Sequence, residues 1–122
     1  MIPEALFTSL KSIVNNRCYP IKLPERVEFP AITYFEVSGR ENNTHDGYDM
    51  TSVNRWQISC WAKTYKEAKE LARAVKQQLR TFSGSLIYVV RKSTLENEMD
   101  FYEQDTGIYH IPVEFIFLIK EV

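Results

Sequence analysis

The sequence predicts an α+β domain whose four strands form one mixed sheet, in the order α-β-β-α-β-β, with the helices mainly on one face. Two stretches repeat apolar residues at three- and four-residue steps, which is the period of an amphipathic helix. Two others alternate apolar and polar residues, as half-buried strands do. A length of 122 residues allows one hydrophobic core, so we expect a single domain over residues 1–122.

The N-terminal part of the chain begins with a predicted helix over residues 3–15, where apolar residues recur at helical spacing after an early proline. Two prolines within residues 17–24 disfavour a regular strand, so this stretch is expected to be an extended connector lying on the core. A strand is expected over residues 31–38. Residues 39–50 lack apolar periodicity and are rich in Asn, Asp and Gly, which predicts a long, mobile loop.

The middle of the chain contains the clearest strand and helix. Residues 53–62 alternate, with Trp56 on the face expected to be buried and Trp61 on the other face. Thr64 and Glu67 have the spacing of a capping box, which predicts that a helix begins there. Its apolar stripe comprises Ala68, Leu71, Ala72, Val75, Leu79 and Phe82, and Ser83 and Gly84 are expected to end it.

Two strands complete the predicted fold. Residues 86–92 are rich in β-branched and aromatic residues, and a last strand begins at Gly107 with its odd-numbered apolar residues on one face. Pro112 lies within that last strand and lacks an N–H, which predicts an edge position or a bulge. Residues 96–105, between the two strands, are expected to be an irregular acidic segment.

Composition and charge exclude several classes of protein. Fifteen basic and sixteen acidic residues leave a net charge of -1, so no overall field attracts nucleic acid or an anionic membrane. The N-terminus lacks a basic leader and no run of 18 apolar residues occurs, so we expect neither export nor membrane insertion. Cys18 and Cys60 are expected to be free and buried, with a disulfide between them as the alternative.

No motif predicts a catalytic, cofactor or metal site. The sequence lacks HExxH, CxxC, GxSxG, GxGxxG and Walker-type patterns, and neither histidine has a second ligand at metal-binding spacing. His45, Asp46 and Asp49 could hold a cation, but ordering a loop around it would cost conformational entropy, which favours a solvated loop. We therefore expect no enzyme activity and no cofactor.

Two charged segments are candidate contact surfaces. The basic side of the second helix comprises Lys66, Lys69, Arg73, Lys76 and Arg80. An ordinary solvated face explains it first, and the alternatives are a docking strip for an acidic protein and, last, a weak nucleic-acid contact. The acidic segment, either a solvated loop or a protein contact, carries Glu96, Glu98, Asp100, Glu103 and Asp105. Trp61, on the outward face of its strand, is either an interface anchor or covered by the rest of the fold.

Four pieces of the sequence, in their order along the chain, carry a resemblance to a known family. They are ALFTSLKSIV, RCYPIKLPERVEFPAITYFEVSG, WQISCWAKTYKEAKELARAVKQQL and YEQDTGIYHIPVEFIFLI. Together they resemble the tail completion or head-to-tail joining proteins of long-tailed bacteriophages, which are similar in design to tail terminators. The likeness covers almost the whole chain and lies in patterning, because no catalytic residue is among the matched positions.

This resemblance implies a structural protein of a phage or prophage that forms a ring, typically a hexamer, around a central channel. Its expected partners are other copies of itself, a head connector or stopper protein and the tail tube protein, while DNA passes through the channel without specific binding. The expected locations are the bacterial host cytoplasm during assembly and the head-tail junction or tail of the virion.

A head-to-tail ring interface brings two different patches of the same subunit together, so the basic helix and the acidic segment are candidate complements between neighbouring subunits. The residues expected to contact partners are Arg40, Asn42, Asn43, His45, Asp46, Tyr48, Trp61, Lys69, Arg73, Lys76, Glu98, Asp100 and Glu103. The alternative function is a small nucleic-acid- or ligand-binding α+β module, which the basic helix and Trp61 would serve.

Overall fold

The computed structural model describes residues 2–44, 47–80 and 88–121. The chain begins with helix α1 (Ile2–Leu10), which continues into a 3-10 turn (Lys11–Val14), and helix α2 (Tyr65–Arg80) lies in the middle of the sequence. The strands are β1 (Cys18–Pro20), β2 (Ala31–Thr44), β3 (Gly47–Ala62), β4 (Tyr88–Glu98), β5 (Phe101–Glu103) and β6 (Ile108–Glu121).

The strands form one mixed sheet with the order β1-β2-β3-β6-β4, and β5 pairs with β6 beyond the end of β4. The short strand β1 runs parallel to β2, whereas the other neighbouring strands are antiparallel. Both β3 and β4 run antiparallel to β6, so they are parallel to each other and α2 connects them across β6. The α+β class and the mixed sheet are confirmed, but the sheet has six strands where the sequence predicted four.

The order of elements differs from the prediction because two short strands were not expected. Strand β1 lies in the predicted connector and pairs Cys18 with Ile32 and Pro20 with Tyr34. Strand β1 lies at the edge of the sheet. Pro20 has no backbone N–H to donate, and at an edge this leaves the hydrogen bonds in the interior of the sheet intact. Strand β5 lies in the predicted irregular acidic segment, whose first residues belong to β4.

The predicted loop over residues 39–50 is also wrong where the structure describes it. Its residues extend β2 and β3 into a long hairpin, in which Arg40 pairs with Val53 and Asn43 with Tyr48. The pairs Asn43 with Tyr48 and Thr44 with Gly47 lie beyond Thr51, the point at which β3 begins to pair with β6. A two-stranded extension buries little surface on either face, so its sequence need not alternate.

Pro112 lies on a central strand, which contradicts its expected edge position. On one side it pairs in register with Ser59 of β3 without a bulge. On the other side, the N–H of Met99 donates to the Pro112 carbonyl over 3.2 Å, between the end of β4 and the start of β5. The N–H and C=O groups of one residue point to the same side of an antiparallel strand. The side on which Pro112 lacks an N–H therefore faces the gap between the end of β4 and the start of β5.

Both helices pack on one face of the sheet and enclose the hydrophobic core. The expected inward residues of β3 are buried, as are Ile111, Val113, Phe115 and Phe117 of β6, whereas Tyr109 is half-buried. They share the core with the apolar stripe of α2 and the inner residues of α1. The core cluster includes Leu6, Leu10, Val14, Ile32, Tyr34, Trp56, Ile58, Cys60, Ala62, Ala68, Leu71, Ala72, Val75, Leu79, Ile111, Val113, Phe115 and Phe117.

The start of α2 confirms the predicted cap. The N–H of Glu67 donates to the Thr64 hydroxyl oxygen over 3.1 Å, which satisfies one of the free N–H groups of the first turn. The predicted stop at Ser83 and Gly84, Phe82 of the stripe and the first residues of the predicted strand 86–92 lie outside the described residues.

Candidate functional site

The described residues contain no group of three or more His, Cys, Asp or Glu side chains that could hold a metal ion. Cys18 and Cys60 are free and buried, as predicted. Burial raises the pKa of Cys18 to about 12 and also raises the pKa of Cys60, so neither sulfur is a thiolate near neutral pH. Within the same residues, neither helix is long and apolar enough to cross a membrane.

The structure brings the basic side of α2 against the end of the acidic segment within one chain. Lys69 Nζ lies 3.1 Å from Glu98 Oε2 and 3.0 Å from Asp100 Oδ1. Lys76 Nζ lies 2.7 Å from Glu98 Oε1, and the Tyr65 hydroxyl donates to Asp100 Oδ2 over 2.9 Å. These charge-assisted contacts connect α2 to the strand region beside it.

The placement of Glu98 explains these ion pairs. Glu98 pairs with Val113 of β6, whose buried side chain lies on the face that the helices cover. Side chains of paired residues lie on the same face of a sheet, so the Glu98 carboxylate points towards α2. The two charged segments were expected to meet between neighbouring subunits, but the structure pairs Lys69 and Lys76 with carboxylates of their own chain.

The ion pairs change the pKa values of the carboxylates. Hydrogen bonding from Lys76 and then from Lys69 holds the pKa of Glu98 below its ordinary value of 4.5, although partial burial acts in the opposite direction. Lys69, followed by Tyr65, holds the pKa of Asp100 below its ordinary value. The pKa of Lys69 is raised, first by Asp100 and then by Glu98. Folding thus favours the charged form of all three groups.

We expect Glu98→Gln to lower the free energy of unfolding at pH 7 by roughly 1 kcal/mol, because the variant keeps the shape of the side chain and loses its charge. A carboxylate whose pKa is lowered on folding stabilises the protein above its unfolded pKa, and this contribution disappears as the pH falls through the folded value. The difference between the variant and the wild type should therefore shrink below pH 4.5.

Urea unfolding at pH 7 and pH 3 measures this difference, with Glu70→Gln on the exposed side of α2 as the control. Equal destabilisation by Glu98→Gln at both pH values would show that the ion pairs with α2 do not stabilise the fold.

A cleft of about 470 Å³ lies beside these ion pairs and is lined by Lys69, Arg73, Lys76, Gln77, Arg80 and Glu98. Arg73 and Arg80 are exposed, and no ion pair joins either of them to another described residue. The charge left for an external acidic group therefore lies mainly on these two arginines, of which only Arg73 was among the expected contact residues.

Trp61 is half-buried on the face of the sheet that carries no helix. Its indole N–H donates to the hydroxyl oxygen of Thr33 over 3.0 Å, and its ring stacks on His110 with centroids 3.8 Å apart. Phe101 of β5 lies on the other side of His110, with ring centroids 6.0 Å apart. Burial lowers the pKa of His110, and the Glu103 carboxylate partly opposes this effect. Trp61 thus has extensive contacts inside its own chain.

The remaining expected contact residues make no ion pair with this charged cluster in the part of the chain that the structure describes. Arg40, Asn42 and Asn43 belong to β2, and Tyr48 belongs to β3, so their backbones form the extended hairpin. His45 and Asp46 lie outside the described residues. The Glu103 carboxylate accepts a hydrogen bond from the hydroxyl of Thr106 over 3.1 Å.

The sequence did not identify the exposed apolar side chains at the two edges of the sheet. Ile21 follows β1, and Met99, Phe101 and Tyr102 lie in the segment that was expected to be acidic and solvated. Three large apolar residues within four positions of the acidic segment indicate that it is not simply a solvated loop. Their exposure depends on the tertiary fold.

Comparison with known families matches residues 4–120 to the model described as tail completion protein gp17. The chain belongs to this family. The tail completion protein is accordingly a structural phage tail protein and not an enzyme. No curated protein matches its sequence.

The fold of this tail completion protein is similar to that of a chain in a solved structure entitled "Virion of native gene transfer agent (GTA) particle". The two chains superimpose with a TM-score of 0.78 over 96% of this chain and 92% of the other, at 14% sequence identity. This likeness shows that the two proteins share a fold.

Proposed function

We propose that this tail completion protein forms a hexameric ring at the junction between the phage head and tail, or at the end of the tail. In this role it completes the tail and joins it to the head. The match to the tail completion family over residues 4–120 carries the proposal. The fold agrees with it, because the described residues present charged and apolar surfaces and contain no cluster suited to metal-dependent chemistry.

Two surfaces of the chain would serve this role. The extended hairpin includes Arg40, Asn43 and Tyr48, and its end at Asn43 and Tyr48 lies beyond the pairing of β3 with β6, which suits contact with a neighbouring ring. Arg73 in the basic cleft suits an acidic group of a partner. The partners would be further copies of the chain, a head connector or stopper protein and the tail tube protein. Assembly would take place in the host cytoplasm, and DNA would pass through the ring without sequence-specific contacts.

Assembly in a host infected by a phage mutant that lacks this protein tests the proposal. We expect separate heads and tails in electron micrographs, and joined particles when the wild-type chain is supplied from a plasmid. Electron microscopy of the purified chain, alone and mixed with tail tubes, should show rings with a central opening. Joined particles formed without the chain, or tubes that never carry a ring, would contradict the proposal.

A further inference from the structure

One lateral edge of the sheet contains an apolar notch. Its volume is about 430 Å³, and we call it the edge notch; it is lined by Pro20, Ile21, Tyr34, Phe35, Glu36 and Trp56. Ile21 at its rim is 75% exposed. The N–H of Ile21 donates to the Tyr34 carbonyl over 2.9 Å, and its φ of 69° is rare for a β-branched residue. This conformation follows the end of β1, beyond which the edge of β2 has no partner strand among the described residues.

The opposite edge of the sheet carries protruding apolar side chains. We call them the edge patch: Leu95, Met99, Phe101 and Tyr102. Met99 is 48% exposed and Tyr102 is 52% exposed. Strands β4 and β5 pair only with β6 within the described part of the chain, so their outer sides are open. An open edge with exposed apolar side chains is a site for contact with another chain.

The edge notch lies at the same level along the strands as one end of the edge patch. The paired residues Glu36, Trp56, Phe115 and Leu95 form one row across the sheet, from the notch to the patch. The next row on the helix-covered face runs from Tyr34 through Ile58 and Val113 to Glu98, which directly precedes Met99. A second copy placed beside the first without a shift along the strands therefore brings Leu95 opposite the edge notch. Met99 of the same patch then lies level with Thr33, two positions along β2 from Phe35, beside which Ile21 lies.

The strand directions and the bulges define the kind of contact. Strand β4 runs antiparallel to β2, so a neighbouring copy related by rotation about an axis along the strands presents an antiparallel edge. Both edges are interrupted at this level, by irregularities between Glu36 and Ser38 in β2 and between Leu95 and Asn97 in β4. Bulges disrupt continuous backbone pairing, so apolar side chains are expected to dominate the contact.

We propose that the edge patch of one copy docks into the edge notch of the next copy, head to tail, with Leu95 opposite the notch and the long side chain of Met99 reaching Ile21. The proposal rests on the proposed ring function and identifies the subunit contact. A head-to-tail contact without a shift along its rotation axis closes into a ring, whereas a shift produces a helical filament. The flexible thioether of Met99 suits an irregular apolar notch.

Site-directed cross-linking tests the contact. Ile21→Cys and Met99→Cys are made separately, and a short bismaleimide is added to each variant alone and to their mixture. Native Cys18 and Cys60 are buried, and the raised pKa of each keeps it from reacting readily. We expect cross-linked dimers in the mixture and none with either variant alone. A mixture of Glu70→Cys with Met99→Cys, whose Glu70 is exposed on α2, is the matched control.

Met99→Asp provides a second test, and Thr8→Asp adds the same charge on an exposed position of α1 as its control. Sedimentation should show self-association weakened by about tenfold or more for Met99→Asp alone, with circular dichroism unchanged. Cross-linking equal to the control mixture, or Ile21→Cys that links to itself, would overturn the proposed contact. If oligomers form despite these results, the ring function would depend on a different interface. A chain that stays monomeric even with tail tubes would refute both proposals.

Discussion

Phe115→Ala is expected to lower the free energy of unfolding by about 4 kcal/mol, because it removes a large side chain from the centre of the core. Phe115 is fully buried on β6, between Trp56 of β3 and Leu95 of β4 in the same row of the sheet. Its ring is near-parallel to that of Phe117, with centroids 6.2 Å apart. The surrounding strands cannot collapse into the space without breaking their register, so a cavity remains.

This loss is a large share of the stability of a chain of this size, since small domains are stable by only about 5–15 kcal/mol. Urea unfolding followed by circular dichroism measures it, and Phe115→Leu, which keeps most of the apolar volume, should cost much less. Phe115→Ala with unchanged stability would mean that the sheet can close around the missing ring, contrary to the packing of β3, β6 and α2.

Trp61→Ala is expected to lower the free energy of unfolding by about 3 kcal/mol, through loss of the stacked ring and of a hydrogen bond. The variant leaves the His110 ring without its stacking partner and the nearly buried Thr33 hydroxyl without the indole N–H. The prediction distinguishes two roles for Trp61. A residue that supports its own fold lowers stability when it is truncated, whereas an interface anchor lowers assembly alone.

Trp61→Phe is the matched control, because it keeps an aromatic ring over His110 and loses only the N–H donor. Thermal unfolding of the isolated chain should place it between the wild type and Trp61→Ala, about 1 kcal/mol below the wild type. Wild-type stability for Trp61→Ala combined with weakened self-association would assign Trp61 to a subunit contact instead.

The internal ion pairs change what the charged segments can do in a ring. Lys69 and Lys76 are held by Glu98 and Asp100 of the same chain, so a contact between neighbouring subunits through these residues would first have to break the internal pairs. Arg73 has no such partner within the described residues and remains available to an acidic group. We therefore assign the subunit contact to the apolar edges and leave the basic cleft for a different partner.

Much of the core could be predicted from the sequence, because its signals are local. The alternation in β3 and β6 identified their buried faces, and the spacing of Thr64 and Glu67 identified the start of α2. Each of these signals depends on residues a few positions apart, whose geometry is fixed by the period of a helix or a strand. The absence of catalytic motifs likewise agreed with the family to which the chain belongs.

Only the tertiary structure decided which elements meet. Lys69 and Asp100 are separated by 31 positions, and their contact depends on α2 crossing β6 to reach β4. The hairpin beyond Gly39 forms because β2 and β3 pair with each other, and no alternation in residues 39–50 indicated these strands. The same holds for the sheet edges. Ile21 and Met99 lie exposed at opposite edges of the sheet only because all the strands between them have paired.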